Sequence, residues 1–164
     1  MSVFYKQLRI GKNGKLFYLY KFRTMIENAD KIGGLSTSGD DPRLTRIGKF
    51  LRKYKLDELP QLWNVLRGDM SFVGPRPEVP EVVDLMTEEE KRIILSVRPG
   101  MTDLASIWDI NEEDVLRGEK NPHEAYLKKI WPHKKELQIF YIQNQNLWGD
   151  LKIIFFTLKK LLKR

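Results

Sequence analysis

The segment LDELPQLWNVLRGDMSFVGPRP, residues 56–77, is the most informative part of this chain of 164 residues. Two adjacent carboxylates, Asp57 and Glu58, stand near its start, and a single arginine, Arg76, stands near its end between two prolines. Apolar residues recur between them at helical spacing, namely Leu56, Leu59, Leu62, Trp63 and Leu66. The pattern predicts a short amphipathic helix after the carboxylates, followed by a turn, a short strand and a stiff loop.

The carboxylate pair supports two interpretations. A proline such as Pro60 is tolerated in the first turn of a helix, which places Asp57 at or near the N-cap. The helix dipole favours negative charge there, so Asp57 stays ionised, as a nucleophile must, and the same backbone amides can receive a phosphate. An Asp-Glu pair before an apolar run is also typical of an ordinary helix cap, and the pair alone leaves both interpretations open.

Arg76, at the other end of the segment, favours a functional site over an ordinary helix cap. Pro75 fixes its own φ, and Pro77 drives Arg76 toward an extended conformation. An arginine held in this way loses less entropy when it binds an anion. A surface turn with a solvated arginine is the alternative. Taken together, the two ends of the segment predict a nucleophile or base pair with an anion receptor.

With other motifs of the chain, this segment resembles the signature of the bacterial sugar transferases, the monotopic phosphoglycosyl transferase family. The resemblance extends to four further motifs: QxRxG (residues 7–11), KFRTM (21–25), VRPGMT (97–102) and DLKII (150–154). The motifs follow the family's order along nearly the whole chain. We therefore expect one catalytic domain over residues 1–164.

The resemblance implies a two-step phosphoryl transfer. The aspartate that matches Asp57 attacks the β-phosphate of a UDP-sugar and releases UMP, and the phosphosugar then passes to polyprenyl (undecaprenyl) phosphate. This is the first membrane step of polysaccharide or glycoconjugate assembly. Glu58 is expected to assist the acceptor phosphate or to hold the cofactor Mg²⁺ together with Asp57. The motif positions expected to bind substrate are Lys21, Arg23, Arg76, Arg98 and Thr102.

Composition narrows the chemistry further. The chain has no cysteine, which excludes disulfides, thiolate catalysis and cysteine-based zinc sites. His123 and His133 lack metal-ligand spacing and are expected at the surface. A net charge of +7 suits phosphate-bearing partners: nucleotide-sugars, anionic membrane surfaces or nucleic acid.

The fold class expected is α+β, mostly helical with a small antiparallel β-hairpin and amphipathic membrane-interface helices. Alternation predicts the hairpin over residues 2–10 and 15–22, while residues 33–42 form a polar loop. A basic amphipathic helix follows Pro42, and an apolar helix with a basic end closes the chain; each can lie on a membrane or pack on a core. The helices predicted at residues 86–96 and 123–146 are assigned scaffolding roles.

Two departures from the family pattern matter. Members begin with a hydrophobic helix that re-enters the membrane, whereas this chain begins where that helix would end and contains no run of about 18 apolar residues. We expect a peripheral or monotopic protein at the cytoplasmic face of the bacterial inner membrane, or a soluble one if that helix is truly absent, with a homodimer as a further expectation. The segment at residues 102–109 also differs, which affects the identity of the sugar more than the reaction type.

Two alternatives to the enzyme stay open. The first is a catalytically impaired protein that acts at the membrane surface or in complex assembly. The second is a basic nucleic-acid-binding module, suggested by the net charge of +7. No recognised nucleic-acid-binding motif accompanies that charge, so nucleic acid is not the expected partner.

Overall fold

The computed structural model describes residues 2–32, 37, 41–108 and 115–162. In chain order its elements are β1 (Phe4–Ile10), β2 (Leu16–Phe22), α1 (Ala29–Ile32), α2 (Arg46–Lys53), α3 (Gln61–Leu66), β3 (Ser71–Val73), α4 (Pro80–Val83), α5 (Glu88–Ile94), β4 (Gly100–Thr102), α6 (Leu104–Trp108), α7 (Pro122–Ala125), α8 (Trp131–Asn144) and α9 (Leu147–Leu162). A 3-10 turn at Leu56–Glu58 precedes α3, and a π-helical turn at Tyr126–Ile130 joins α7 to α8. The predicted α+β class, mostly helical with a small antiparallel hairpin, is confirmed.

The predicted hairpin forms from β1 and β2, which pair antiparallel from Phe4 opposite Phe22 to Ile10 opposite Leu16. The turn between them carries Asn13 and Gly14 at positive φ, where asparagine and glycine are the residues best tolerated. Side chains alternate along β1, so that every second residue is less exposed than its neighbours. This alternation directs one face of the hairpin toward the segment at residues 56–77.

A second, parallel pair joins β3 to β4, with Ser71 opposite Gly100 and Val73 opposite Thr102. The backbones approach so closely that a Cβ on Gly100 would lie 2.1 Å from the nitrogen of Gly74. Side chains are excluded at both positions, which gives a physical reason for the glycines of the GPRP and RPG motifs. The pair fixes the start of the loop that carries Arg76.

The largest core cluster lies where α4 and α5 meet the segment from α7 to α8 and includes Val83, Met86, Leu116, Ile130 and Trp131. The buried face of α8 is partly polar, because Lys134 and Gln138 are enclosed on it. Another cluster joins Val73 of β3 to Ile153 of α9, so the final helix packs on the parallel strand pair. The first cluster also contains residues of both helices that were predicted as scaffold, at residues 86–96 and 123–146.

Asp57 was predicted at or near the N-cap of the helix, and the structure does not place it at that cap. Lys55 adopts a left-handed conformation with φ 55°, which ends the helical path of α2 and starts the 3-10 turn that holds Asp57. The N-cap of α3 is Pro60, and no side chain caps it. Asp57 therefore lies in a separate turn before the helix.

Three other expectations concern segments rather than sites. The helix predicted at residues 123–146 is divided into α7, the π-helical turn and α8. Most of the polar loop predicted at residues 33–42 lies outside the described residues. Within the described ranges, no helix is long and apolar enough to cross a membrane.

Candidate active site

The carboxylate turn is positioned by a side-chain contact between α3 and the free edge of β2. Asn64 is fully buried; its amide donates to the carbonyl of Tyr18 at 2.8 Å, and its carbonyl oxygen accepts from the nitrogen of Tyr20 at 3.2 Å. The Asn64 amide thus forms the two backbone hydrogen bonds that a neighbouring strand would otherwise form with this edge of β2. The contact brings the start of α3 alongside Lys21, the next residue of β2.

Glu58 lies at the centre of an ion cluster. Its Oε1 accepts from Arg76 Nη2 at 2.8 Å and from Lys21 Nζ at 3.2 Å. Burial by itself raises the pKa of Glu58, but the charges of Arg76, Lys21 and Lys55 outweigh it and hold that pKa well below its ordinary value. Glu58 is therefore a carboxylate at neutral pH, and it holds the side chains of Lys21 and Arg76 in position.

Lys21 has a perturbed ammonium group in the same cluster. Burial lowers its pKa to about 8, against the opposing effect of the Glu58 carboxylate. Its side chain is 18% exposed and that of Arg76 is 26% exposed, so both cations are reachable from solvent while remaining partly enclosed. This arrangement suits an anionic ligand such as a pyrophosphate.

The loop around Arg76 is held by backbone hydrogen bonds in addition to its prolines. The carbonyl of Pro75 accepts from the nitrogen of Gly100 at 2.9 Å, and the carbonyl of Glu78 accepts from the nitrogen of Ile10 at 3.1 Å. Both flanking prolines are buried. The interpretation as a solvated surface turn therefore does not describe this loop.

Arg9 is a residue of this site to which the sequence analysis gave no role. Its Nη1 donates to the carbonyl of Pro77 at 2.8 Å and lies 3.9 Å from the carboxylate of Glu78, while its Nη2 donates to Gln7 at 2.6 Å. Arg9 thus binds the loop at Pro77 and Glu78, the two residues that follow Arg76. Two signals could have identified it: its place in the QxRxG motif, and the alternation of β1, which puts Gln7 and Arg9 on the less exposed face of the hairpin.

Asp57 is held differently from its neighbour, because it attracts the charge of Lys21 through space and not through a direct ion pair. It is 5% exposed, and its Oδ1 is buried without a hydrogen-bond partner. Among the described residues, no ion pair within 4 Å involves Asp57. A buried carboxylate in this state is unusual and suits either a nucleophile or a ligand of a hard cation.

A metal site built from protein ligands alone is absent from the described part of the chain, where no three histidine, cysteine or acidic residues are grouped to hold an ion. Mg²⁺ commonly takes one or two carboxylates and completes its shell with water and substrate phosphates. Asp57 fits such a role because none of the described cations lies within 4 Å of it as an ion-pair partner. Glu58 fits less well because two cations already share its Oε1.

The other three predicted substrate-binding residues lie outside these direct contacts. Arg23 donates to the carbonyl of Ser2 at 2.9 Å and its guanidinium lies 5.9 Å from the ring centre of Tyr5. Arg98 is exposed, with its guanidinium beside Gly68 in the turn after α3. Thr102 shares a hydrogen bond of 2.7 Å with Thr157 of α9.

Comparison with known proteins gives a consistent result. The family model described as bacterial sugar transferase matches residues 1–164. An uncharacterized sugar transferase of Bacillus subtilis, EpsL, is 42% identical over 160 residues, which is 98% of this chain and 70% of that protein.

Two longer relatives carry more specific names. The UDP-glucose:undecaprenyl-phosphate glucose-1-phosphate transferase of Klebsiella pneumoniae is 40% identical over 169 residues, covering 96% of this chain and 32% of that protein. The undecaprenyl-phosphate galactose phosphotransferase of Salmonella typhimurium is 35% identical over 175 residues, covering 98% and 33%. The chain thus spans about a third of each of these two relatives.

Proposed function

Because this chain belongs to the bacterial sugar transferase family, we propose that it is a glycosyl-1-phosphate transferase that moves a sugar 1-phosphate from a UDP-sugar to polyprenyl phosphate. The names of the Klebsiella and Salmonella relatives support this acceptor and this type of transfer. The observation that carries the proposal is the contrast within the carboxylate pair. Asp57 is buried and forms no ion pair within 4 Å among the described residues, while Glu58 beside it contacts two cations.

The chemistry we propose proceeds in two displacements at phosphorus. A carboxylate oxygen of Asp57 forms a bond to the β-phosphorus of the UDP-sugar, the bond from that phosphorus to the bridging oxygen breaks, and its electron pair leaves on UMP. A phosphate oxygen of the polyprenyl phosphate then attacks the same phosphorus, and the electron pair of the broken bond returns to the Asp57 carboxylate. Neither step requires a proton to move, so a site whose Glu58 is ionised is suitable.

Lys21 and Arg76 are the groups that we expect to bind the phosphoryl oxygens. Both are cations, both are partly exposed, and both are fixed at 3.2 Å and 2.8 Å from one oxygen of Glu58. A receptor whose charges are already in position loses little free energy in rearrangement when the reaction begins. Arg23, Arg98 and Thr102 remain proposed contacts to more distant parts of the substrates.

Mg²⁺ is the cofactor that we propose, with Asp57 as its ligand from the protein. When bound it would neutralise charge on the pyrophosphate, which must approach an ionised aspartate. Because the described residues offer no cluster of three ligands, we expect the ion to bind together with the nucleotide-sugar. Glu58 then acts by holding Lys21 and Arg76, rather than as a second strong ligand.

The membrane surface is the second partner that we propose. Apolar side chains are exposed in the helices on either side of the carboxylate turn, namely Ile47 and Phe50 of α2 and Leu62, Trp63 and Leu66 of α3. Exposed arginine and lysine side chains accompany them in α2. Such a surface can lie on an anionic membrane, where a polyprenyl phosphate presents its head group, and we place it at the cytoplasmic face.

The test is release of UMP from a panel of UDP-glucose, UDP-galactose and UDP-N-acetylgalactosamine with detergent-dispersed undecaprenyl phosphate and Mg²⁺. Asp57→Asn is expected to abolish release, as is EDTA, because the nucleophile or its counter-ion is then lost. Asp84→Asn, an exposed aspartate at the end of α4, is the matched control and should retain full turnover. Turnover that survives Asp57→Asn would contradict the nucleophile assignment.

A further inference from the structure

The stretch from the carboxylate turn through α3 buries its polar side chains. Glu58 contacts Lys21 of β2, and Asn64 contacts the backbone of the same strand. Gln61 lies midway between them, at the i+3 spacing that keeps residues on one side of a tight helical path, and it is only 2% exposed. Gln61 is therefore buried between the two contacts that this stretch makes with β2.

Two buried side-chain atoms between Asp57 and Gln61 have no hydrogen-bond partner among the described residues. One is the donor Nε2 of Gln61, and the other is the acceptor Oδ1 of Asp57. Buried polar atoms without a partner are uncommon and call for a specific explanation, because each forgoes its hydrogen bonds to water. Here one orphaned atom is a donor and the other is an acceptor.

The two residues stand four apart where the carboxylate turn leads into α3. Asp57 lies in the 3-10 turn Leu56–Glu58, and Leu59 (φ −54°, ψ −37°) and Pro60 (φ −61°, ψ −15°) lead from it into α3 with helical torsions. Residues four apart are neighbours on an α-helix, whereas the tighter 3-10 turn rotates them further apart, so a contact between them uses the length of the glutamine side chain. A glutamine and an aspartate at this spacing can form a side-chain hydrogen bond after a rotation of the glutamine side chain.

We propose that Gln61 is a positioning residue for Asp57, whose Oδ1 accepts a hydrogen bond from Gln61 Nε2 in the working enzyme. The bond fixes the plane of the carboxylate and directs Oδ2 toward the β-phosphorus. A neutral amide suits this task because it orients the oxygen without adding a cation that would compete with the phosphoryl group. The inference rests on the proposed function, since it assigns Asp57 as the nucleophile.

The experiment compares kcat, KM for the UDP-sugar and thermal stability of the full chain with those of Gln61→Met and Gln61→Glu. Methionine keeps the length of the side chain and removes the donor, whereas a glutamate enclosed beside the Asp57 carboxylate has a raised pKa and donates only while it is protonated. We expect kcat to fall about tenfold to hundredfold in Gln61→Met, and in Gln61→Glu as the pH rises and the glutamate loses its proton, with KM within about twofold, because orientation and not binding is lost. The Met variant should unfold at the same temperature as the wild type or higher, because a buried donor without a partner has been removed.

Gln138→Met is the matched control. Gln138 is also fully buried, but its Nε2 has a partner, Asp103, to which it donates at 3.3 Å. Its replacement should lower the unfolding temperature and leave kcat per folded molecule unchanged. The two substitutions are thus expected to have opposite effects: Gln61→Met lowers kcat without lowering the unfolding temperature, and Gln138→Met lowers the unfolding temperature without lowering kcat.

Wild-type turnover that is matched by Gln61→Met would overturn the Gln61 assignment and leave the proposed function intact. A kcat of Gln61→Glu that stays at the wild-type value as the pH rises, with loss in Gln61→Met, would also overturn it, because donation would then not be required. A wild-type protein that releases no UMP from any donor would remove the proposed function, and with it the inference about Gln61.

Discussion

At the scale of single residues, Lys21 connects electrostatics to a measurable pH dependence. Burial holds the pKa of its ammonium at about 8, below the value of 10.5 for an ordinary lysine. The positive charge is therefore present below about pH 8 and is lost as the pH rises through that value. Since the charge is expected to bind a phosphoryl oxygen, KM for the UDP-sugar should rise about tenfold between pH 7 and pH 9.5.

Unfolding does not explain such a loss. The folded pKa of Lys21 lies below the unfolded one, so the unfolded chain binds more protons between these two values and deprotonation of Lys21 favours the folded state. Thermal unfolding measured over the same pH range checks this. Lys21→Arg keeps its charge throughout and should shift the alkaline rise in KM to higher pH; an unchanged profile in this variant would assign the titration to another group.

The residue scale also shows what the sequence could predict. Asp57, Glu58, Arg76 and Lys21 stand in short motifs, and the structure brings the last three into direct contact. Arg9 and Gln61 also stand in quoted motifs, residues 7–11 and 56–77, but neither was assigned a role in the site, because the contact of each depends on where the fold places it. Arg9 reaches a loop 68 positions later in the chain, a contact that no local pattern encodes.

At the scale of elements, the Arg76 loop depends on two neighbours, β4 and β1. Gly100 bonds the carbonyl of Pro75, and Arg9 bonds the carbonyl of Pro77. The two prolines beside Arg76 were sufficient to predict that the loop is stiff. The supporting bonds come from elements distant in the chain, so the anchoring of the loop could not be predicted from the motif itself.

Arg9→Lys tests this anchoring. A lysine keeps the charge beside Glu78 but cannot donate at once to Gln7 and Pro77 in the planar fork of a guanidinium. We expect KM for the UDP-sugar to rise about tenfold as Arg76 loses its fixed position, and the free energy of unfolding to fall by about 1–3 kcal/mol. Arg92→Lys, an exposed change on α5, should alter neither quantity. An unaltered KM in Arg9→Lys would show that the loop holds Arg76 without help from β1.

The helix α3 shows why periodicity alone misleads about orientation. Its apolar residues recur at helical spacing as predicted, yet Leu62, Trp63 and Leu66 are exposed and the opposite polar face is buried. Periodicity defines two faces of a helix, and only the neighbours decide which of them is enclosed. Here the edge of β2 offers backbone hydrogen bonds, and Asn64 satisfies them.

At the scale of the whole molecule, the exposed apolar face of α3 predicts a contact with membranes. Trp63→Ser is expected to reduce binding to vesicles that contain anionic lipid by about tenfold, since a large aromatic side chain leaves the interface. Phe140→Ser on α8 is the matched control, because Phe140 is 57% exposed and Trp63 is 56% exposed. Equal losses in both variants, measured by vesicle co-sedimentation, would contradict a specific membrane face on α3.

The net charge of +7 does not by itself distinguish a membrane partner from nucleic acid. The distribution of the apolar residues favours the membrane, because exposed apolar and basic side chains share α2. A protein for assembly without catalysis would bind vesicles equally well. Only the chemistry of Asp57 separates that alternative from an enzyme.

The most direct test of the central claim is therefore mass spectrometry of the protein after incubation with Mg²⁺ and a UDP-sugar in the absence of the polyprenyl acceptor. We predict an added mass of one phosphosugar, which maps to the peptide containing Asp57, is absent from Asp57→Asn, and disappears when undecaprenyl phosphate is added. UMP release without any adduct at Asp57, or an adduct at another residue, would contradict the account.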